Sequence, residues 1–163
     1  MRPITQRGQC VTEQRQIDFY HLKDDDLYAP VAMLSEKTVG IGQKMLILSP
    51  AQHMDAISEA LWTRTRESFL AHGREDDAGF LHAPVWLTAD VEKNPNEAQY
   101  VCLTGGLVPP DLSAFQRVFM LFDGTRETAV AFARSCWEDW SADETVRCRY
   151  FAQDESGNWV KKA

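Results

Sequence analysis

Apolar positions in this chain fall into short continuous runs, separated by stretches in which they recur at helical spacing. Ile17-Asp18-Phe19-Tyr20-His21-Leu22, Lys44-Met45-Leu46-Ile47-Leu48, Pro84-Val85-Trp86-Leu87-Thr88, Tyr100-Val101-Cys102-Leu103-Thr104 and Arg117-Val118-Phe119-Met120-Leu121-Phe122 each predict a strand. Runs such as Met45–Leu48 are apolar at every position, the pattern of strands buried on both faces in a parallel sheet. Between them, a helix is expected over 28–39, with Pro30 near its first turn and Gly40 and Gly42 beyond its end. Ser49-Pro50 offers an N-cap followed by proline at the first helical position, and Met54, Ile57, Ser58 and Leu61 carry a helix over about 50–61.

Further on, Pro109-Pro110-Asp111 leads to an expected short helix, and the segment from Gly124 to about Trp140 is helical in pattern. Val146 to Gln153, Glu155-Ser156-Gly157-Asn158 and Trp159-Val160 read as strand, turn and returning strand. Strands alternating with helices predict an α/β fold: one three-layer domain over 17–163, a mostly parallel twisted sheet with helices on both faces and a C-terminal antiparallel hairpin. Residues 1–16 are polar and aperiodic and are expected to form a disordered arm.

Composition narrows the function. The chain has 163 residues, 44% of them apolar, with five Trp and eight Phe, enough to bury one core. No run approaches the roughly 18 apolar residues of a membrane span, and Met1 to Arg7 has no apolar signal region, so a cytoplasmic location is expected. Cys10, Cys102, Cys136 and Cys148 are scattered, form no CxxC, and are expected as reduced thiols rather than a disulfide frame. The net charge of −7 opposes binding to a polyanion, so direct contact with nucleic acid is not expected.

The motifs of α/β enzymes are missing. There is no GxxxxGK[ST], GxSxG or HExxH, and Gly40-x-Gly42 precedes a strand where a dinucleotide fingerprint follows one. No metal or cofactor is implied. Lys23-Asp24-Asp25-Asp26 is expected to be a solvated loop. His21, His53, His72 and His82 lie on separate segments; His72 and His82, flanking the Gly73–Gly79 loop, are the candidates for the alternative reading, a small α/β enzyme.

Two surfaces look suited to binding. In the helix after Gly124, Arg126, Val130, Ala133-Arg134 and Trp137 fall along one stripe, whereas Ala129, Phe132, Cys136 and Trp140 fall on an adjacent stripe expected to face the sheet. Arginine grips a carboxylate through paired hydrogen bonds and an apolar notch beside it takes an aromatic ring, a combination suited to the end of a peptide. The plainer alternative is a solvated arginine beside a core tryptophan. Trp62, Arg64, Arg66 and Phe69 form the second surface, with the composition of an interface hot spot or of an anchor for their own loop. Arg147 and Arg149 share a face of the last long strand, as local positive charge or as solubilising residues.

Several segments, in order, resemble the chi subunit family of bacterial DNA polymerase III: Phe19-Tyr20-His21-Leu22, Met45-Leu46-Ile47-Leu48, Leu61-Trp62, Ser68-Phe69-Leu70-x-His72, Ala83-Pro84-Val85, Phe122-Asp123-Gly124, Ala133-Arg134-x-x-Trp137, Tyr150 and Trp159. The resemblance implies a nucleotide-binding-like fold without a phosphate loop and a non-catalytic accessory subunit of the clamp loader. Such a subunit links the loader to the single-stranded-DNA-binding protein by capturing that protein's acidic C-terminal tail, which ends in Pro-Phe. By position, Arg134 matches the arginine for the tail carboxylate and Trp137 the aromatic beside it. Glu138 stands where the family commonly has lysine, which weakens the expected attraction for an acidic tail; Arg126 offers a replacement charge. Trp62 and Phe69 match positions near the surface that receives psi, a second accessory subunit absent from some lineages.

Overall fold

A computed structural model describes residues 14–64, 70–75 and 82–163. The elements run β1 (Arg15–Leu22), α1 (Tyr28–Gly40), β2 (Met45–Leu48), a 3-10 turn (Ala51–His53), α2 (Met54–Thr63), β3 (His72–Gly73), β4 (Val85–Thr88), β5 (Tyr100–Leu103), β6 (Arg117–Asp123), α3 (Glu127–Ser141), β7 (Val146–Gln153) and β8 (Trp159–Lys161). They build one sheet in the order β3-β4-β2-β5-β6-β1-β7-β8, parallel throughout except for the terminal β7–β8 hairpin. β1 lies between β6 and β7, with Phe19 beside Met120 on one side and Tyr150 on the other.

The continuous apolar runs are strands because both faces are covered. Ile17, Phe19, Leu46, Leu48, Val101, Leu103, Val118 and Met120 point to the face packed by α3. Tyr20, Met45, Ile47, Val85, Leu87, Cys102, Phe119 and Leu121 point to the opposite face, with α1 and α2. Burial pushes the Cys102 thiol up to about 12 and that of Cys148 to about 11; these and Cys136 are free thiols, while Cys10 lies outside the described residues.

Local differences from the sequence reading have simple causes. Pro50 does not enter the helix: it is extended at ψ 144°, the chain then makes a 3-10 turn, and Ser49 is buried in the sheet instead of capping. No helix follows Pro109-Pro110. Asp111 accepts hydrogen bonds from Ser113 N (2.8 Å) and Oγ (2.8 Å), closing a turn that brings Phe115 into the core. Asp24 and Asp26 accept backbone N–H groups of Asp26 and Tyr28, so the acidic loop shapes the entry to α1. β1 begins at Arg15, within the span read as an arm; residues 1–13 lie outside the described region.

Candidate functional site

The turn Phe122-Asp123-Gly124 fixes where α3 starts. Asp123 accepts hydrogen bonds from Thr125 N (2.8 Å) and Oγ1 (2.6 Å), and Gly124 N donates to Leu22 O at 2.9 Å. A Cβ on Gly124 would lie 1.9 Å from His21 Nε2 and 2.5 Å from Leu22 O, so the turn passes over His21 only because residue 124 has no side chain. α3 then crosses the sheet with Ala133 and Cys136 buried beneath it. Trp137 meets Phe19 edge-on, ring centroids 5.2 Å apart at 63°, and Trp140 packs on Phe19 at 5.8 Å.

This geometry rotates the expected stripes. Ala133 faces the sheet at 2% exposure, whereas Phe132, expected to face it, is 39% exposed. The helix rests on the row that includes Ala129, Ala133, Cys136 and Trp140, and Val130 and Trp137 flank it on the β7 side. Val130, Arg134 and Trp137 meet there around a cavity of about 310 Å³, completed by Phe122, Ala133, Tyr150 and Ala163. Its walls are mainly apolar, and the Arg134 side chain is exposed with no ion pair or hydrogen bond among the described residues. Glu138 is exposed and does not line this cavity.

Tyr150 was not singled out for this site from the sequence, yet it is the cavity's β7 wall. Its ring stands edge-on to Trp137 at 6.1 Å, and its hydroxyl shares a 2.5 Å hydrogen bond with His21 Nδ1. Burial raises the Tyr150 hydroxyl above its usual range, opposed by the charge of Arg134 nearby; burial lowers His21, opposed by Asp123. A tyrosine within a strand gives no sign in sequence of the histidine that aims it, 129 residues away.

Arg126 does not join this group. It precedes the first residue of α3, is exposed, and lines a second cavity of about 600 Å³ with Phe132, His53 and Asp123 at the C-terminal ends of β1, β5 and β6. Phe122 lines both cavities.

Of the second predicted surface, Arg66 and Phe69 lie outside the described residues. Trp62 is 41% exposed at the end of α2, with its ring 4.6 Å from that of His72. His72 Nδ1 faces Leu70 O at 2.8 Å, so it donates there, and Nε2 accepts from Ser58 Oγ at 2.7 Å. His72 therefore ties β3 to α2 and supports Trp62 from below. Arg64 donates to Glu36 at 2.7 Å, joining α2 to α1. His82 is exposed.

On the α1/α2 face, Arg149 donates from Nε and Nη2 to both oxygens of Asp18 (2.8 Å each), and Arg117 Nη2 donates to Asp18 Oδ2 at 2.9 Å. Asp18 is 0% exposed. Burial raises its pKa, but hydrogen bonds from Arg149 and Arg117 more than offset this and hold the carboxyl below the usual range. Arg149 is thus a structural partner of Asp18, and Arg147 alone of the pair is exposed.

Among the described residues, no three His, Cys, Asp or Glu side chains gather as a metal site, and no helix is long and apolar enough to cross a membrane. The model of the family "DNA polymerase III chi subunit, HolC" matches residues 15–146. A relative from Rickettsia prowazekii, described as a probable DNA polymerase III subunit chi, is 23% identical over 163 residues, covering 91% of this chain and 93% of that protein. The family match begins at the first residue of β1 and runs to the first of β7, spanning β1 to β6 and all three helices, and the chain belongs to the DNA polymerase III chi subunit family.

Proposed function

We infer that this chain is a non-catalytic accessory subunit of the polymerase III clamp loader, working in the cytoplasm, and that it captures the acidic C-terminal tail of the single-stranded-DNA-binding protein. The observation that carries this reading is an unpaired, exposed Arg134 beside an apolar cavity of about 310 Å³ walled by Val130, Trp137 and Tyr150. Such a site suits a peptide end: the guanidinium takes the terminal carboxylate by two parallel hydrogen bonds, and the cavity takes the last aromatic ring. Catalysis is not needed to explain the shifted titrations, because Asp18, Tyr20, His21 and Tyr150 are governed by burial or by ion pairs within the fold. The exposed Trp62, fixed over His72, is the anchor of a second protein surface, suited to psi where that subunit exists.

The test is fluorescence anisotropy with a labelled acidic peptide ending in Asp-Ile-Pro-Phe. Saturable binding is expected, lost when the peptide lacks its final Phe or when Arg134→Ala is used. A folded protein that fails to bind the peptide at low salt overturns the reading.

A further inference from the structure

The face opposite α3 carries a second site that the tail reading does not use. In a parallel sheet both faces are normally covered by helices. Here α1 packs on β2 and α2, and a groove of about 330 Å³ is left between α1 and the β1–β7–β8 end of the sheet. Its walls hold five aromatic residues, Tyr20, Tyr100, Phe119, Phe151 and Trp159, assembled into a cage. Tyr20 stacks on Phe151 at 5.2 Å and 15°, and Trp159 stands edge-on to Tyr20 at 4.9 Å. At the α1 rim Ile41 is 63% exposed beside this cage, a large apolar side chain left in water.

The charge of the groove is opposite in sign to that of the whole chain, which is −7. Among the described residues Lys37 and Arg117 line it and no acidic side chain does; Arg149 lies over Phe151 at 5.1 Å, and the Asp18 carboxylate is buried beneath. Arg117 gives one hydrogen bond to Asp18, from Nη2, and stacks over Phe119 at 5.0 Å; its side chain is 31% exposed and its Nη1 has no hydrogen bond among the described residues. A guanidinium with donors to spare beside an aromatic cage accepts a carboxylate next to a bulky apolar side chain.

From this we propose that the groove between α1 and β8 docks an acidic peptide segment of a second partner protein, its carboxylate held by Arg117 and Lys37 and its apolar side chain held by the Tyr20–Phe151–Trp159 cage. The site is independent of the tail cavity, which lies across the sheet. A nucleic-acid strand is less suited, since its phosphates would face the field of an acidic protein along their whole length.

The test is an NMR titration of the whole chain with the peptide Glu-Asp-Leu-Trp-Glu-Asp, acetylated and amidated so that no terminal carboxylate is offered to Arg134. Saturable shifts are expected at the Trp159 indole and the Ile41 methyls, with affinity falling at least ~tenfold in Lys37→Glu and in Ile41→Glu, as for residues central to an interface. Both are rim positions, so the variants stay folded, and Arg134→Ala leaves this binding unchanged. No shifts, shifts confined to Val130 and Trp137, or the same Trp159 and Ile41 shifts with oligo(dT) but not with the peptide would each overturn the proposal.

Discussion

Strand β7 takes part in an arginine–aromatic ensemble on each face of the sheet, and the two are put to different use. Tyr150 turns toward α3, where it meets Trp137 and an Arg134 that has no ion pair among the described residues. Its neighbours Arg149 and Phe151 turn the other way, where Asp18 takes both donors of the Arg149 fork. The residue types are nearly the same. The buried Asp18 carboxylate commits the Arg149 fork to the fold, and Arg134 has no such partner among the described residues.

Removing that carboxylate has the largest expected effect. Asp18→Asn leaves two guanidinium groups without their counter-charge, and unfolding in urea is expected to show a loss of ~3–5 kcal/mol. A loss below ~1 kcal/mol would mean that Arg149 is as free as Arg134 and would erase the distinction. The same contrast has a pH signature. Asp18 titrates lower in the folded chain than unfolded, so its stabilisation is complete above the unfolded value of ~3.9 and is lost as pH falls through the folded one. Acid unfolding of Asp18→Asn should be flatter below pH ~4 than that of the parent.

On the other face the expected loss is in binding. Arg134→Ala should weaken the tail peptide by ~1.5–3 kcal/mol, measured by anisotropy, while its unfolding midpoint stays within ~0.5 kcal/mol of the parent. Comparable loss in both measurements would make Arg134 a second structural arginine. Gly124→Ala forces a methyl against His21 and Leu22 O, and ~1–3 kcal/mol of stability should go as the turn shifts. Because that turn launches α3, tail affinity should fall with it. The smallest effect belongs to Arg126→Ala, expected to change tail affinity by less than ~0.5 kcal/mol, since Arg126 lines the 600 Å³ cavity. A loss as large as that of Arg134→Ala would restore Arg126 to the stripe with Val130, Arg134 and Trp137.

The contrast also explains what could be read from sequence. The main strands were legible because burial on both faces leaves no polar alternation to blur them, as in Met45–Leu48. β3 was not, because two residues, His72 and Gly73, take their register from β4 rather than from an apolar run of their own. The period of α3 was legible, and Ala129, Cys136 and Trp140 face the sheet as expected; the choice between Phe132 and Ala133 was not. Phe132 and Ala133 differ by one position, and only the shape of the sheet beneath decides that the small residue goes inward. Arg134, Val130 and Trp137 could be grouped from sequence because they share a helix; Tyr150 and its partner His21 could not, because strand register brings them to that cavity. Asp18 looked like one polar residue in an aromatic run, and its partners lie 99 and 131 residues further along.

Those separations have a consequence for how the chain is made. β1 is paired on one side by β6 and on the other by β7, so the first described strand is locked in place by strands that leave the ribosome long after it. At about 5–20 residues per second, Arg117 emerges roughly 5–20 s after Asp18. Until then Asp18 is a charge within an aromatic run, the kind of residue that opposes edge-to-edge pairing of an exposed strand with other chains.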